Sequence, residues 1–356
     1  MGQSRPGDSK LRSIFTQRLA DLCDLRDRGP CASSTEGMNQ PMWTRRNFLV
    51  NLPGGLAASM VGVNRGLTAA ESLVWPGPIG LQLGWLREVF AVDPKEAHSQ
   101  LLAAHGRGVP NYNPDPRAAL EEIAAIGYRE VELAPNNGLA PSVADLRAAG
   151  LTAVSGYFTL PKTLADWKQS IEVAQRHELH YMTVGTNPKL DPAGWERFID
   201  FMGQCGALSH AAGIQFCYHA HNREFVSFDG VTPYDKMLTR LNPNTLQMEM
   251  DIYGAVCAGV DPVSYFQRYP GRFPLLHLKD LRKGIIIRSQ GNPPPTGPRE
   301  PVVPIGQGQI DYAGILKRAG EAGAKHIYVE LNDRGGIPVI DAAKISFEYL
   351  KHLRLI

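Results

Sequence analysis

Charge of neither sign dominates this chain: 37 Lys and Arg stand against 35 Asp and Glu, a net +2. With no basic excess to neutralise phosphates, nucleic acid is not an expected partner. A glycine-rich phosphate fingerprint is also missing, because Gly306-Gln307-Gly308 lacks the third glycine and the preceding strand of a dinucleotide loop. The apolar stretch after Arg46 is broken by Asn51, Pro53, Gly54 and Gly55, and it falls short of the roughly 20 residues of a membrane span. Cysteine is scarce and unpaired in spacing, with Cys23 and Cys31 near the N-terminus and Cys205, Cys217 and Cys257 scattered beyond. That is no disulfide framework, and Cys205 and Cys217 read as small buried apolar residues in a helix and a strand.

The N-terminal region carries a different signal. Arg45 and Arg46 stand in Thr44 to Leu49, a modest apolar stretch runs from Val50 to Val63, and small residues follow up to Ala70. This is the pattern of a twin-arginine export signal cleaved near Ala70. It divides the chain into a polar, irregular extension at 1–41, disordered or upstream of a true start at Met42, a signal at 42–70, and an exported domain at 71–356. Cleavage removes nine Lys/Arg and five Asp/Glu and leaves 28 basic against 30 acidic side chains. The expected location is periplasmic or extracytoplasmic, without stable membrane insertion after cleavage. Whether the domain forms a homo-oligomer stays open.

From Ile79 onward, strand-like and helix-like segments alternate with βα spacing. Strands are expected at Ile79–Leu83, Tyr128–Leu133, Leu151–Ser155, His180–Val184, Ile214–His219, Leu246–Asp251, Phe273–His277 and His326–Glu330. Asp115-Pro116, Asp191-Pro192, Thr232-Pro233 and Asp261-Pro262 each pair an N-cap with an N1 proline and start helices between them. Asp311 caps a further helix, and Asp341 to Leu350 forms the last one. Eight strands and eight helices in strict alternation predict a single-domain α/β fold, the (β/α)8 TIM barrel. Residues 284–304, with Pro293, Pro294 and Pro295, read as a stiff loop at the active face.

Four residues able to hold one divalent metal, His219, Asp251, His277 and Glu330, sit at or just past the C-terminal ends of the later strands. In a parallel barrel those ends converge on the face that carries the chemistry. A carboxylate at Asp251 is costly to bury without a cation or donors, unless it caps the next turn. His277 offers a neutral imidazole for a first-row metal, and Glu330 can both ligate and move protons. His221 alternates with His219 and faces the same side. Glu224 and Arg223 follow, Lys279 shares the side of His277 and either orients substrate or pairs with Asp251, and Glu132 ends strand two.

From about residue 79 to the end the chain resembles the xylose isomerase-like sugar phosphate isomerase/epimerase superfamily. The resemblance is carried by Tyr218-His219-Ala220-His221-Asn222-Arg223-Glu224-Phe225, Met250-Asp251-Ile252-Tyr253, Gly259-Val260-Asp261-Pro262, His277-Leu278-Lys279-Asp280, Ile305 to Asp311, and Val329-Glu330. It implies one divalent ion, manganese first with magnesium, cobalt or zinc as neighbours, held by a Glu, an Asp, a His and a second Glu. Asp251, His277 and Glu330 match the last three. His219 stands where the family pattern has its first glutamate, so the second proton carrier has to come from Glu224 or His221.

The chemistry expected of such a site is proton abstraction next to a carbonyl of a keto or aldo sugar, with Glu330 as base and Glu224 or His221 as partner. Arg223, Lys279 and Glu132 are the residues expected to meet the substrate. Isomerisation, epimerisation and loss of a β leaving group, as in a keto-glycoside lyase or hydratase, share that half-reaction. The alternatives are a non-catalytic exported sugar-binding barrel and an endonuclease IV-like phosphodiesterase, the latter needing more metal ligands than the chain places together.

Overall fold

Short runs of Val, Ile, Leu and aromatic residues, buried on both faces, alternate with helices started by Asp, Ser or Thr. That pattern belongs to a parallel sheet covered by helices. The computed structural model describes residues 75–84, 116–135, 140–186, 190–285, 302–331 and 337–353. The extension 1–41, the twin-arginine stretch 42–70, the segment 91–113, the Asp115 cap and residues 286–301 of the proline-rich loop lie outside them.

The barrel strands are β1 (Ile79–Gln82), β2 (Glu130–Leu133), β3 (Thr152–Phe158), β4 (Tyr181–Gly185), β5 (Gln215–Ala220), β6 (Gln247–Asp251), β7 (Leu275–Leu278) and β10 (His326–Val329). They close in the order β1-β10-β7-β6-β5-β4-β3-β2. Every neighbouring pair is parallel. Between them run α1 (Pro116–Ile126), α2 (Val143–Ala148), α3 (Leu164–Arg176), α4 (Pro192–Ala211), α5 (Pro233–Arg240), α6 (Ile252–Cys257), α7 (Pro262–Arg268), α8 (Tyr312–Leu316), α9 (Ala319–Ala322) and α10 (Val339–Lys351). The (β/α)8 barrel read from the sequence is the observed fold. No helix among the described residues is long and apolar enough to cross a membrane.

The Asp/Thr-Pro starts behave as expected. Asp191 accepts from the Gly194 amide, Thr232 from Asp235 and Asp261 from Val263, each with proline in the first turn. Thr163 and Asp166 add a capping box to α3. Three features depart from expectation. β3 continues three residues past Ser155 to Phe158, the extra helix α6 begins directly after Asp251, and β8 (Asp280–Leu281) pairs antiparallel with β9 (Val302–Val303).

Strand parity sorts the side chains. Outward residues such as Val131, Phe216, Met248, Leu276 and Ile327 join the helices in the main core. Each fully buried side chain of this kind contributes about 1.5–3 kcal/mol. Inward residues form layers. The floor holds Cys217, Leu275 and Tyr328, with Val154 and Tyr181 against them. Gly80 leaves room for the Tyr328 ring, since a Cβ there would come within 2.5 Å of it. Above this apolar floor the interior turns polar.

A register shift between Val131 and Glu132 sets Glu132 opposite Ser155 and skips Val154. Such a bulge re-aims the following side chain. Ser155 Oγ thereby donates to Glu132 Oε1 over 2.7 Å.

Candidate active site

Parity carries His219 on β5, Glu249 and Asp251 on β6, His277 on β7 and Tyr328 with the following Glu330 on β10 to the barrel interior. In register, His219 lies opposite Glu249 and Asp251 opposite His277. All of these side chains are buried. His219 Nδ1 is 2.8 Å from Glu249 Oε2, and its Nε2 faces Asp251 Oδ2 at 3.7 Å. His277 Nδ1 is 2.7 Å from Glu330 Oε2, and its Nε2 is 2.7 Å from Glu132 Oε2 and 3.3 Å from Glu249 Oε1. Lys279 Nζ lies between Asp251 Oδ2 at 3.0 Å and Glu330 Oε2 at 2.8 Å.

The electrostatics follow from burial working against neighbours. Burial alone would lower the His277 pKa, but the Glu249 and Glu132 carboxylates outweigh it and hold the ring well above the usual imidazole range. Burial would likewise lower Lys279, yet Asp251 and Glu330 keep it firmly protonated. This ammonium is a hydrogen-bond donor rather than a free amine nucleophile. Burial would raise Glu330, but Lys279 and His277 override it and hold the carboxyl well below its ordinary value. Burial pushes His219 well down, assisted by His277 and His221.

Asp251 stands at the N-cap position of α6 but makes no capping bond. Its Oδ1 has no hydrogen-bond partner, and its Oδ2 meets only the Lys279 ammonium at 3.0 Å and, more distantly, His219 Nε2. Buried carboxylates without donors are costly, and a cation relieves that cost. Ligand atoms of His219, Asp251 and Glu330 fall within 4.8 Å of one another, and those of His219, Glu249 and His277 form a second such set. Mixed imidazole and carboxylate donors suit a first-row divalent metal. The residues present therefore fit such an ion.

His221 lies on the same side as His219, with ring centroids 4.8 Å apart. Its Nδ1 meets the Thr186 carbonyl at 3.0 Å, which places the proton on Nδ1 and a lone pair on Nε2. Burial, then Lys279, lowers its pKa and favours the neutral ring.

Glu224 takes the opposite direction. It sits on a single 3-10 turn, Arg223–Phe225, and its Oε1 accepts from the hydroxyl of Tyr218, an outward residue packed on Phe198 of α4. Its Oε2 accepts from the His221 backbone N–H at 3.2 Å. Thus Glu224 braces the end of β5 from outside the cluster. Arg223, half-buried beside it, takes part in none of the cluster's ion pairs among the described residues. Glu132 lies beneath His277 rather than at the mouth, held by Ser155 and His277.

Two interior residues escaped the sequence reading. Glu249 stands two positions before Asp251, so strand parity alone aims it inward. Tyr157 lies on the unexpected extension of β3, with its ring 5.3 Å from His219 and 6.3 Å from His277. Gly185 makes room for it, since a Cβ there would overlap the Tyr157 hydroxyl at 1.6 Å.

With this geometry in view, residues 120–353 match the family model of the xylose isomerase-like TIM barrel. The chain belongs to that family. Inosose dehydratase of Geobacillus kaustophilus is 27% identical over 101 residues, which cover 28% of this chain and 32% of that protein. The matched stretch is thus about a third of that curated relative's length. A solved sugar phosphate isomerase/epimerase of Parabacteroides distasonis has a TM-score of 0.57 at 23% identity, over 78% of this chain and 98% of its own. A xylose isomerase-like TIM barrel protein of Mycobacterium smegmatis, solved in complex with magnesium, has a TM-score of 0.53 at 14% identity, over 79% of this chain and 98% of its own. At these identities the two superpositions carry the fold.

Proposed function

We propose that this barrel is a metal-dependent enzyme of the isomerase/epimerase type that removes a proton from the carbon next to a carbonyl in a keto or aldo sugar. One observation carries the reading. Glu330, a carboxylate held ionised by Lys279 and His277, stands beside Asp251, whose buried Oδ1 has no hydrogen-bond partner and whose Oδ2 shares the Lys279 ammonium with it. His219, Asp251, His277 and Glu330 would hold a divalent ion, manganese first, which when bound polarises the substrate oxygen and lowers the cost of the enediolate.

The chain's own residues supply the rest. Glu330 takes the proton at carbon, and Lys279 donates toward an oxygen that becomes negative. His221, neutral with its Nε2 lone pair available, carries the second proton. Glu224 is the weaker choice for that role because its carboxyl is taken by Tyr218 and the His221 amide. Solvent deuterium appearing at the carbon next to the carbonyl, dependent on added metal and lost in Glu330→Gln, tests the proposal. A metal-replete protein that exchanges no proton on any keto or aldo sugar would return it to a binding role.

Elimination of a hydroxyl or glycosidic oxygen β to the carbonyl is the second reading. It is favoured by the similarity to inosose dehydratases and needs the same base, with Glu330 returning the proton it took from carbon to the leaving oxygen. Formation of an unsaturated carbonyl, followed by its ultraviolet absorbance, separates elimination from isomerisation. Export is likewise proposed from Arg45, Arg46 and the apolar stretch behind them, and lysine substitution of the arginine pair with cell fractionation tests it.

A further inference from the structure

Each of the two buried imidazoles is spanned by carboxylates at both nitrogens, and the spans run in opposite senses. His219 turns Nδ1 to Glu249 and Nε2 to Asp251. His277 turns Nε2 to Glu132 and Glu249, and Nδ1 to Glu330. Asp251 and Glu330 lie at strand ends, whereas Glu249 and Glu132 lie within β6 and β2, one inward position nearer the floor in the case of Glu249. The lower pair touches only the nitrogens that face away from Asp251 and Glu330.

An imidazole that binds a cation keeps one N–H, so His277, held protonated by its carboxylates, gives up one proton on binding, and a carboxylate on one nitrogen keeps the proton there. Glu249 is fixed for this by its place opposite His219 in the ladder. Glu132 is fixed by Ser155, which the β3 bulge brings against its other oxygen. Without Glu249, the His219 proton is free to sit on Nε2 and bond to Asp251, which would block that nitrogen as a ligand.

We propose that Glu249 and Glu132 are positioning residues that set the two histidines in opposite tautomers, so that His219 offers Nε2 and His277 offers Nδ1 to a divalent cation beside Asp251 and Glu330. This rests on the metal reading above. It assigns to two residues absent from the ligand set the choice of which nitrogen binds. It also excludes the alternative set of His219 Nδ1, Glu249 and His277 Nε2 as the place where the cation rests.

The deciding experiment loads the 15N-histidine-labelled full chain with 113Cd2+ and reads one-bond cadmium–nitrogen couplings. Coupling to Nε2 of His219 and Nδ1 of His277 is expected. Calorimetric titration of Co2+ into Glu249→Gln and Glu132→Gln, both conservative in volume, is expected to give one ion per chain at about 10–100-fold weaker affinity. Glu249→Asp should recover part of the loss. Coupling to the opposite nitrogens, or variants that bind as tightly as the parent, overturns the tautomer assignment and leaves the metal reading standing. A parent protein that takes up neither ion overturns the metal reading itself. The cadmium spectrum of the unsubstituted chain decides the matter even where a variant fails to fold.

Discussion

Tyr218 and Glu224 lock together on the outer face of β5, the phenol donating to the carboxylate over 2.6 Å while the same carboxylate accepts from the His221 amide. This arrangement, rather than contact with a substrate, accounts for a fully buried glutamate six residues after the tyrosine. Burial, only partly offset by the Tyr218 bond, pushes the Glu224 carboxyl up to about 7.

The raised value makes a signed prediction. Below the unfolded glutamate pKa the acid is protonated in both states. Between about 4.5 and about 7 the folded state holds the proton that the unfolded state has lost, so stability falls as pH rises through that window and levels off above it. The loss is on the order of 3 kcal/mol. Glu224→Gln, neutral at every pH, should flatten this slope in chemical denaturation between pH 5 and 8 and leave the protein more stable at pH 8 than the parent. A parent whose unfolding midpoint is level across that range would refute the assignment.

Catalysis should separate His221 from Glu224. His221→Asn is expected to lower turnover by about 10²–10⁴-fold while cation affinity changes little. Glu224→Gln should retain a large part of the activity. Parallel kcat measurements with metal-saturated variants check the pair, and equal losses in both would return Glu224 to the reaction.

Metal loading should also be visible without turnover. A saturating divalent ion at about 100 times its dissociation constant adds about 2.7 kcal/mol to stability. A melting curve with Mn2+ or Zn2+ should therefore shift upward for the parent, shift back on adding chelator, and stay unmoved for Asp251→Ala and His277→Ala. Shifts of equal size in these variants would place the ion elsewhere.

Much of this site was legible because strand-end position and parity are local properties. His219, Asp251, His277, Lys279 and Glu330 could be placed on one face from the alternation of single residues along their strands. Glu249 obeyed the same rule and was still missed, because a carboxylate inside a strand draws less notice than one at its end. Glu224 was not legible, since its direction depends on the 3-10 turn after Ala220 and on a tyrosine facing the other way. Tyr157 depended on how far β3 continues past the bulge, which pairing across the sheet decides.

The glycines of Ile305 to Asp311 show the same limit and lead to a further prediction. Asp280 collects four backbone amides, those of Leu281, Ile310, Gly306 and Gly308. A Cβ on Gly308 would approach Asp280 Oδ1 within 2.1 Å, and Gly306 holds φ at +91°, a left-handed conformation. Asp280→Ala should cost about 3 kcal/mol or more in urea denaturation, since orphaned amides cost about 1–3 kcal/mol each and some will find water. Gly308→Ala should approach the same loss. An unchanged midpoint in both would show that the loop holds itself.

The apolar floor of the barrel has a kinetic meaning. Cys217, Leu275 and Tyr328 are buried beneath the charged cluster, so packed side chains plug the barrel axis below it. Whatever leaves after a reaction departs from the same face of the barrel that the next molecule approaches. Occupancy by one excludes the other, and product should behave as a purely competitive inhibitor toward substrate.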